Sequence, residues 1–533
     1  MDAGIDFGTT FSTLCYSPGK KADGCVEESS SVYIPTAVGL RKDRTFCIGR
    51  AAIADPSVDL YRDIKRWVGC NPLNEGYYRR KLKPTYLVAI RGNDVGIGPV
   101  RGSRERLVAV VDLIYIFIKG LVILAYRSTG LNVKLCTCSV PADYNSFKRS
   151  YVYEACKSLG IGVQAVVNEP TAAGLSSFVD TNLIDLPWLL VYDFGGGTFD
   201  VSMLASSKGA LCVCDSLGDN YLGGRDIDNA LRLYISRKYD IPLDLLDPFS
   251  MEDVKLRVSS DVPKEIHSIL LKTGEIRQVE ITYDELEKVC APFVNRALAL
   301  VKRVISRNKV SSVAVVLIGG SSVLPGVSRS ISSIPSVVQV VFSKDSYRAA
   351  VAIGASLYAQ SFTSNTRFRL IDCASSTLSD ERRPLLAKPI LPKGHPIPTT
   401  LEMPFIMPKY STGVVLHEGE SPVISWNERT FSADVSVKDF KPGTRLKQVF
   451  TITEDGRLSV TLGGKTLKNS LVISGVGRDA REFEFKDFGE THMEEMVKLY
   501  QEAFQTCVGT TLKGKPSSER ESIYKQYLNR LRK

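Results

Sequence analysis

Two glycine-threonine turns, Asp6-Phe7-Gly8-Thr9-Thr10 and Asp193-Phe194-Gly195-Gly196-Gly197-Thr198-Phe199-Asp200, each follow a short apolar run that reads as a strand, and they restrict the fold more than anything else in the chain. Glycine has no Cβ and takes positive φ freely, so successive N–H groups in such a turn converge on a phosphate, with a threonine hydroxyl as a further donor. Each turn also brings an aspartate, which suits a hydrated magnesium ion between phosphates. One glycine-rich turn alone is as readily an ordinary tight turn. Two near-copies with matching flanks, neither built on the Asn-Gly or Asp-Gly pair of common hairpins, point to a duplicated lobe whose halves close on one nucleotide.

At 533 residues the chain is too long for one core and divides into about three or four units of ordinary size. Hydrophobic residues make up 44% and charged ones 24%, a balance that excludes a largely disordered or fibrous chain. The formal charge is +10, and Lys513 to Lys533 carries seven basic and two acidic residues. That tail is either a solvated helical end or a surface for RNA, an acidic partner or a membrane. The twelve cysteines are scattered. Cys136/Cys138 and Cys212/Cys214 lack the CxxC spacing of zinc or redox sites, so the cysteines read as small buried apolar residues in a reducing compartment. Met1-Asp2-Ala3 leads straight into a strand, so no signal peptide is expected. Leu107 to Tyr126 approaches membrane-spanning length, but Asp112, Lys119 and Gly120 interrupt it, and it reads as a buried helix without integral membrane insertion.

Along the chain, strands are expected at Gly4–Asp6, Thr13–Tyr16, Lys134–Val140, Gln164–Val167, Trp188–Asp193, Asp200–Leu204, Leu211–Ser216 and Val313–Ile318. Helices are expected at Ser146–Leu159, from Pro170, from Arg225, at Met251–Ser259 and at Tyr283–Ser306. Gly319-Gly320-Ser321-Ser322 makes a third glycine-rich turn. Alternating strands and helices give α/β lobes. After Gln360 the pattern changes to short strands, among them Val449–Thr453, Leu458–Leu462 and Ser470–Ser474, followed by helical spacing at Glu490–Cys507 and Ser518–Arg532.

Gly4 to Thr10, Asp193 to Ser202, Gly218 to Asp228 and Leu317 to Pro325 resemble the nucleotide-binding motifs of heat-shock protein 70 chaperones. The resemblance implies an α/β, actin-like ATPase fold of two lobes over residues 1–362, a linker at 363–385, a small β-sandwich at 386–488 and a short helical C-terminal segment at 489–533 without a full lid. It implies ATP/ADP, Mg2+ and K+ as ligands. By position, Gly8, Thr9, Thr10, Gly195, Gly196, Gly197 and Thr198 match the phosphate loops. Gly223, Gly224, Glu252, Lys255, Ser259, Gly319, Gly320 and Ser321 match the remaining nucleotide contacts. Asp6, Asp193 and Asp200 match the metal shell, held largely through water. Lys65, Glu169, Asp193 and Thr198 match the catalytic set, and Pro141 and Arg149 match residues that relay nucleotide state between domains.

Departures accompany the match. Leu256 stands where the family has an arginine that stacks on adenine, Arg225 where cellular members have glutamate, and Arg348 where they have aspartate. Leu391 to Thr399, Val415 to Glu420 and Val449 to Leu462 resemble the peptide-holding β-sandwich of those chaperones, but the leucine-rich linker is not recognisable around Phe368 to Cys373, so the resemblance leaves peptide clamping and its coupling to ATP open. Phe11, Tyr33-Ile34-Pro35-Thr36 and Pro141 to Ser150 resemble the closterovirus branch of the family. That branch implies cell-to-cell movement through plasmodesmata and assembly of one end of a filamentous virion. It implies viral coat, minor coat and other virion-tail proteins, host plasmodesmal or cytoskeletal factors, and viral RNA at the basic tail as partners. The expected setting is host cytoplasm, plasmodesmata and virion, not the secretory route. A structural virion component that uses nucleotide only for stability, and a lidless cellular chaperone, are the alternatives.

Overall fold

The computed structural model describes residues 1–16, 24–28, 31–103, 106–181, 187–207, 210–259, 261–342, 347–361, 369–383 and 385–486. Its first sheet runs, in order, Gly162–Asn168, Leu135–Val140, Asp2–Asp6, Phe11–Tyr16 and Ile34–Pro35. Asp2–Asp6 pairs parallel with Leu135–Val140 and antiparallel with Phe11–Tyr16. A second sheet repeats the plan around Trp188–Phe194, with Val313–Ile318 parallel on one side and the hairpin strand Phe199–Ser207 antiparallel on the other. In both lobes the central strand therefore ends in a glycine-threonine turn at the same edge. This is the two-lobed actin-like ATPase arrangement.

The strands are apolar enough to be buried on both faces, as parallel strands under helices must be. Val313–Ile318 is buried at every position. The apolar stretch forms a helix, Val110–Thr129, with Asp112 in its first turn, Arg127 in its last and Gly130 taking the left-handed C-terminal position at φ 70°. It packs inside the first lobe, and no helix among the described residues is long and apolar enough to cross a membrane. Thr282 and Glu285 cap the helix Tyr283–Asn308 reciprocally. Between the lobes the helices Glu169–Thr181 and Ala350–Ser361 cross so closely that a Cβ on Gly354 would stand 1.7 Å from the Ala172 carbonyl oxygen.

The β-domain is two four-stranded antiparallel sheets around Leu378, Leu391, Leu416, Phe431, Phe450 and Val460. It is tied to both lobes. Within the segment expected to be a linker, Arg369–Cys373 joins the second lobe's sheet beside Ala210–Asp219 and carries Pro396–Ile397 on its other edge. Glu418 accepts from the Ser146 hydroxyl at 2.6 Å, and Glu428 pairs with Lys148 at 3.0 Å.

Ser470–Ser474 is not the sandwich strand that its alternation suggests. Instead the chain leaves the sandwich and crosses the first lobe, where Ile473, Val476, Ala480 and Phe483 enter that lobe's core. Glu484–Phe485 then pairs with Thr45–Ile48 in a peripheral sheet. A run of apolar residues specifies burial, but not which partner supplies it. The expected helices at 490–507 and 518–532 lie outside the described residues.

Two cysteine findings modify the sequence reading. Cys15, in the strand Phe11–Tyr16, and Cys25 are joined in a disulfide, because an isolated antiparallel bridge sets the two residues opposite each other. Cys136 and Cys138, on one face of their strand, meet Cys156 in the core with Sγ separations of 3.7 and 3.5 Å along the series. Cys212 and Cys214 are only half-buried.

Candidate active site

The two turns meet across the cleft. A Cβ on Gly196 would lie 2.1 Å from the Thr10 hydroxyl, one on Gly197 2.6 Å from the Thr9 side chain, and one on Gly223 2.5 Å from the Gly197 Cα. Side chains at these positions would fill the space that the loops leave. Gly319 takes φ 82° directly after Val313–Ile318, and its missing Cβ leaves room for Asp193 Oδ1. The strand edges thus deliver Asp6, Gly8, Thr9, Thr10, Asp193, Gly195, Gly196 and Thr198 to one cavity, joined by Lys65, Glu169, Gly224, Glu252, Lys255, Gly319, Gly320 and Ser321.

Other expected residues stand behind this wall. Gly197 and Gly223 pack against each other. Ser259 accepts the Val262 N–H at 3.1 Å and is absent from the cavity wall. Asp200 lies against the turn after the strand Leu135–Val140, accepting the Ala142 N–H at 3.1 Å, while its Oδ2 is buried without a partner.

Lys65 enters on the short helical turn Ile64–Trp67, which Asp63 opens with a left-handed φ of 58°. Its Nζ lies 2.5 Å from Glu169 Oε1, at the start of the hinge helix, and both side chains are buried. Burial alone would lower the Lys65 pKa, but the charges of Glu169 and Asp6 overcome it and push the value up. Asp6 is raised to about 7 by burial and by Glu169, with Lys65 and the Ser139 hydroxyl, 3.0 Å away, pulling the other way. Burial, Glu169 and Asp6 push Asp193 well up, and burial, Asp143 and Glu169 do the same to Asp200. Asp6 and Asp193 feel the charge of Glu169, and Lys65 is the cation that offsets it at both; at Asp200 the charges that act, Asp143, Glu169 and Asp193, are all negative. The donor set fits a hard divalent cation, which relieves this repulsion directly.

Arg225, which the sequence marks as a departure, and neighbours that sequence reasoning did not single out close the cleft mouth. Arg66 pairs with Asp226 at 2.7 Å and Arg225 with Asp63 at 3.2 Å, two ion pairs that cross from one lobe to the other. The Arg225 and Arg62 guanidinium groups both lie over the Phe249 ring, at 4.1 and 4.4 Å from its centroid. Lys255 is held by Asp228 at 2.8 Å. No motif marks Asp63 or Phe249: the partner of Asp63 is 162 residues away in sequence, and of the two guanidinium groups over Phe249 one, that of Arg62, comes from the opposite lobe.

Arg149 is buried beside the site. It donates to the Tyr144 carbonyl at 3.0 Å, the Val166 carbonyl at 2.9 Å and the Asn168 side chain. Asn168, the residue before Glu169, donates in turn to Asp372 at 2.9 Å. Gly456 of the β-domain lies so close that a Cβ there would be 2.9 Å from Arg149 Nε. Pro141 begins the turn that holds Asp200.

Comparison with known proteins agrees with this geometry. The family described as Hsp70 protein matches residues 2–461. The chain is 38% identical over 486 residues to the protein named movement protein Hsp70h of Grapevine leafroll-associated virus 3, covering 89% of this chain and 87% of that protein. It is 32% identical over 525 residues to the like-named protein of Beet yellows virus, covering 93% and 86%. A bacterial relative, the chaperone protein HscA homolog of Histophilus somni, is 27% identical over 488 residues, covering 86% and 75%.

Proposed function

The chain belongs to the Hsp70 family, and from that membership we propose that it is an ATP-binding, ATP-hydrolysing viral protein of chaperone descent that acts in cell-to-cell movement through plasmodesmata and in assembly of the virion tail. The observation that carries the catalytic part is the meeting of two phosphate turns around Lys65, Glu169, Asp6 and Asp193. The names of the viral relatives support the movement part.

In this reading Thr9, Thr10 and the N–H groups of both turns hold the β- and γ-phosphates of the substrate. Asp6 and Asp193, with Asp200 behind them, would hold a magnesium ion through its bound water. A bound Mg2+ would supply charge neutralisation for the phosphates. Lys65 places its ammonium where negative charge grows during phosphoryl transfer. Glu169, paired with Lys65, and Thr198 orient the attacking water. Glu252, Lys255, Gly319, Gly320 and Ser321 line the nucleoside side. Arg149, through Asn168 next to Glu169 and through Asp372, links the site to the β-domain, which presents the surface for coat and other virion-tail proteins and host factors.

Single-turnover hydrolysis by Lys65→Ala and Asp193→Ala tests this. Both variants are expected to lose hydrolysis and, when introduced into the virus, to lose tail assembly and spread. A second reading, a structural virion component that uses nucleotide only for stability, is favoured by the ties of the β-domain to both lobes, through Pro396–Ile397 on one side and Glu418 and Glu428 on the other. Normal assembly and spread with hydrolysis abolished would establish that reading instead.

A further inference from the structure

One end of the cleft is not accounted for by the phosphate and metal groups. Beyond them the wall includes Tyr33, Leu256, Tyr347, Arg348 and Val351. Arg348 sits in the turn before the helix Ala350–Ser361, with its guanidinium carbon 5.5 Å from the Tyr33 ring centroid and 5.3 Å from that of Tyr347. Its Nε is closed off from solvent and has no hydrogen-bond partner, and it lies 3.8 Å from where a Cβ on Gly320 would be. With Nε held inside, the other N–H groups of the guanidinium are the donors that a ligand in the cleft can meet. Leu256 contributes an aliphatic surface that is 49% exposed. A flat heterocycle with acceptors on its edge answers both features. Guanidinium has five donors and no acceptor. It pairs bidentately with N7 and O6 of guanine, but with adenine it finds only N7, since the exocyclic amino group is itself a donor.

We propose that Arg348, steadied by Tyr33 and Tyr347, is the base-reading residue of this cleft, and that it admits guanine nucleotides alongside adenine nucleotides. The inference rests on the nucleotide reading above and names the substrate class more closely.

The test is calorimetric titration of the full chain, with Mg2+, by ADP, GDP and inorganic tripolyphosphate, in the wild type, Arg348→Ala and Arg348→Lys. The wild type is expected to bind GDP within about fivefold of ADP. Arg348→Ala is expected to weaken GDP at least about tenfold and ADP about threefold, from the lost bidentate pair and the lost cationic contact. Tripolyphosphate, which reports the phosphate end alone, is expected to stay within about twofold. Arg348→Lys keeps the charge without the planar fork and is expected not to restore GDP. The proposal is overturned if wild-type GDP binding is more than about fiftyfold weaker than ADP, if Arg348→Ala binds both diphosphates as the wild type does, if Arg348→Lys restores GDP fully, or if Arg348→Ala loses tripolyphosphate as well. A wild type that takes up none of the three is a different result, which removes the nucleotide reading itself.

Discussion

Phe483→Ala probes the unexpected course of the chain after the sandwich. Phe483 is 6% exposed in the first lobe's core, with the Arg106 guanidinium 5.5 Å from its ring centroid. Its carbonyl accepts from Lys119 at 2.7 Å, and the following residues add main-chain bonds from Glu484 to Arg44 at 3.0 Å and from Lys486 to Phe46 at 2.9 Å. Truncating a buried phenylalanine costs about 3–5 kcal/mol, and an edge site that collapses partly belongs at the low end, about 3. With tenfold in equilibrium for each 1.4 kcal/mol, local opening of this strap should rise on the order of a hundredfold. The strand Thr45–Ile48 then loses the neighbour that Glu484–Phe485 provides. Hydrogen exchange followed by mass spectrometry should show faster exchange across residues 477–486 and 44–48, with the hinge helix Glu169–Thr181 unchanged. Exchange at 44–48 altered by less than about threefold would mean that the strap is not a packed part of the first lobe, and the energetic reasoning would fail.

Two further outcomes are expected. Asp94 is buried, accepts from the Tyr151 hydroxyl at 3.0 Å and has one oxygen without a partner, and burial raises its pKa from 3.8 to about 6. The folded value lies above the unfolded one, so the cost is absent below about pH 4 and complete above about pH 6, roughly 3 kcal/mol at 1.36 per unit. Asp94→Asn should therefore raise the denaturation midpoint at pH 7.5 and leave it nearly unchanged at pH 4, and a lower midpoint at pH 7.5 would contradict this. Arg225→Glu sets a carboxylate against Asp63 and Asp228 where ion pairs of 3.2 and 3.6 Å stood. Stopped-flow release of a fluorescent ADP should quicken by about tenfold or more and recover in part in the Arg225→Glu, Asp63→Arg double variant, whereas an unchanged rate would show that the mouth pairs do not hold the lobes closed.

The chemistry-bearing parts of the site were largely legible because they are local. The Gly-Thr turns, the strands before them and the hinge helix opened by Glu169 and Pro170 are written in consecutive residues, and backbone sterics at glycine leave few alternatives. The duplicated plan was legible for the same reason, since the same short pattern occurs twice. Membership in the Hsp70 family follows from those motifs and from similarity along nearly the whole chain.

Tertiary structure alone decided what depends on distant residues meeting. It brought Asp63 to Arg225 and Tyr33 to Arg348, paired Cys15 with Cys25, and set Asn168 between Arg149 and Asp372. It also sent the apolar run after Asn469 onto the first lobe rather than into the sandwich. Apolar alternation states that a residue will be buried, and charge states that it will seek a partner. Which surface or partner is taken depends on packing competition across the whole chain, because the hydrophobic effect has no direction of its own.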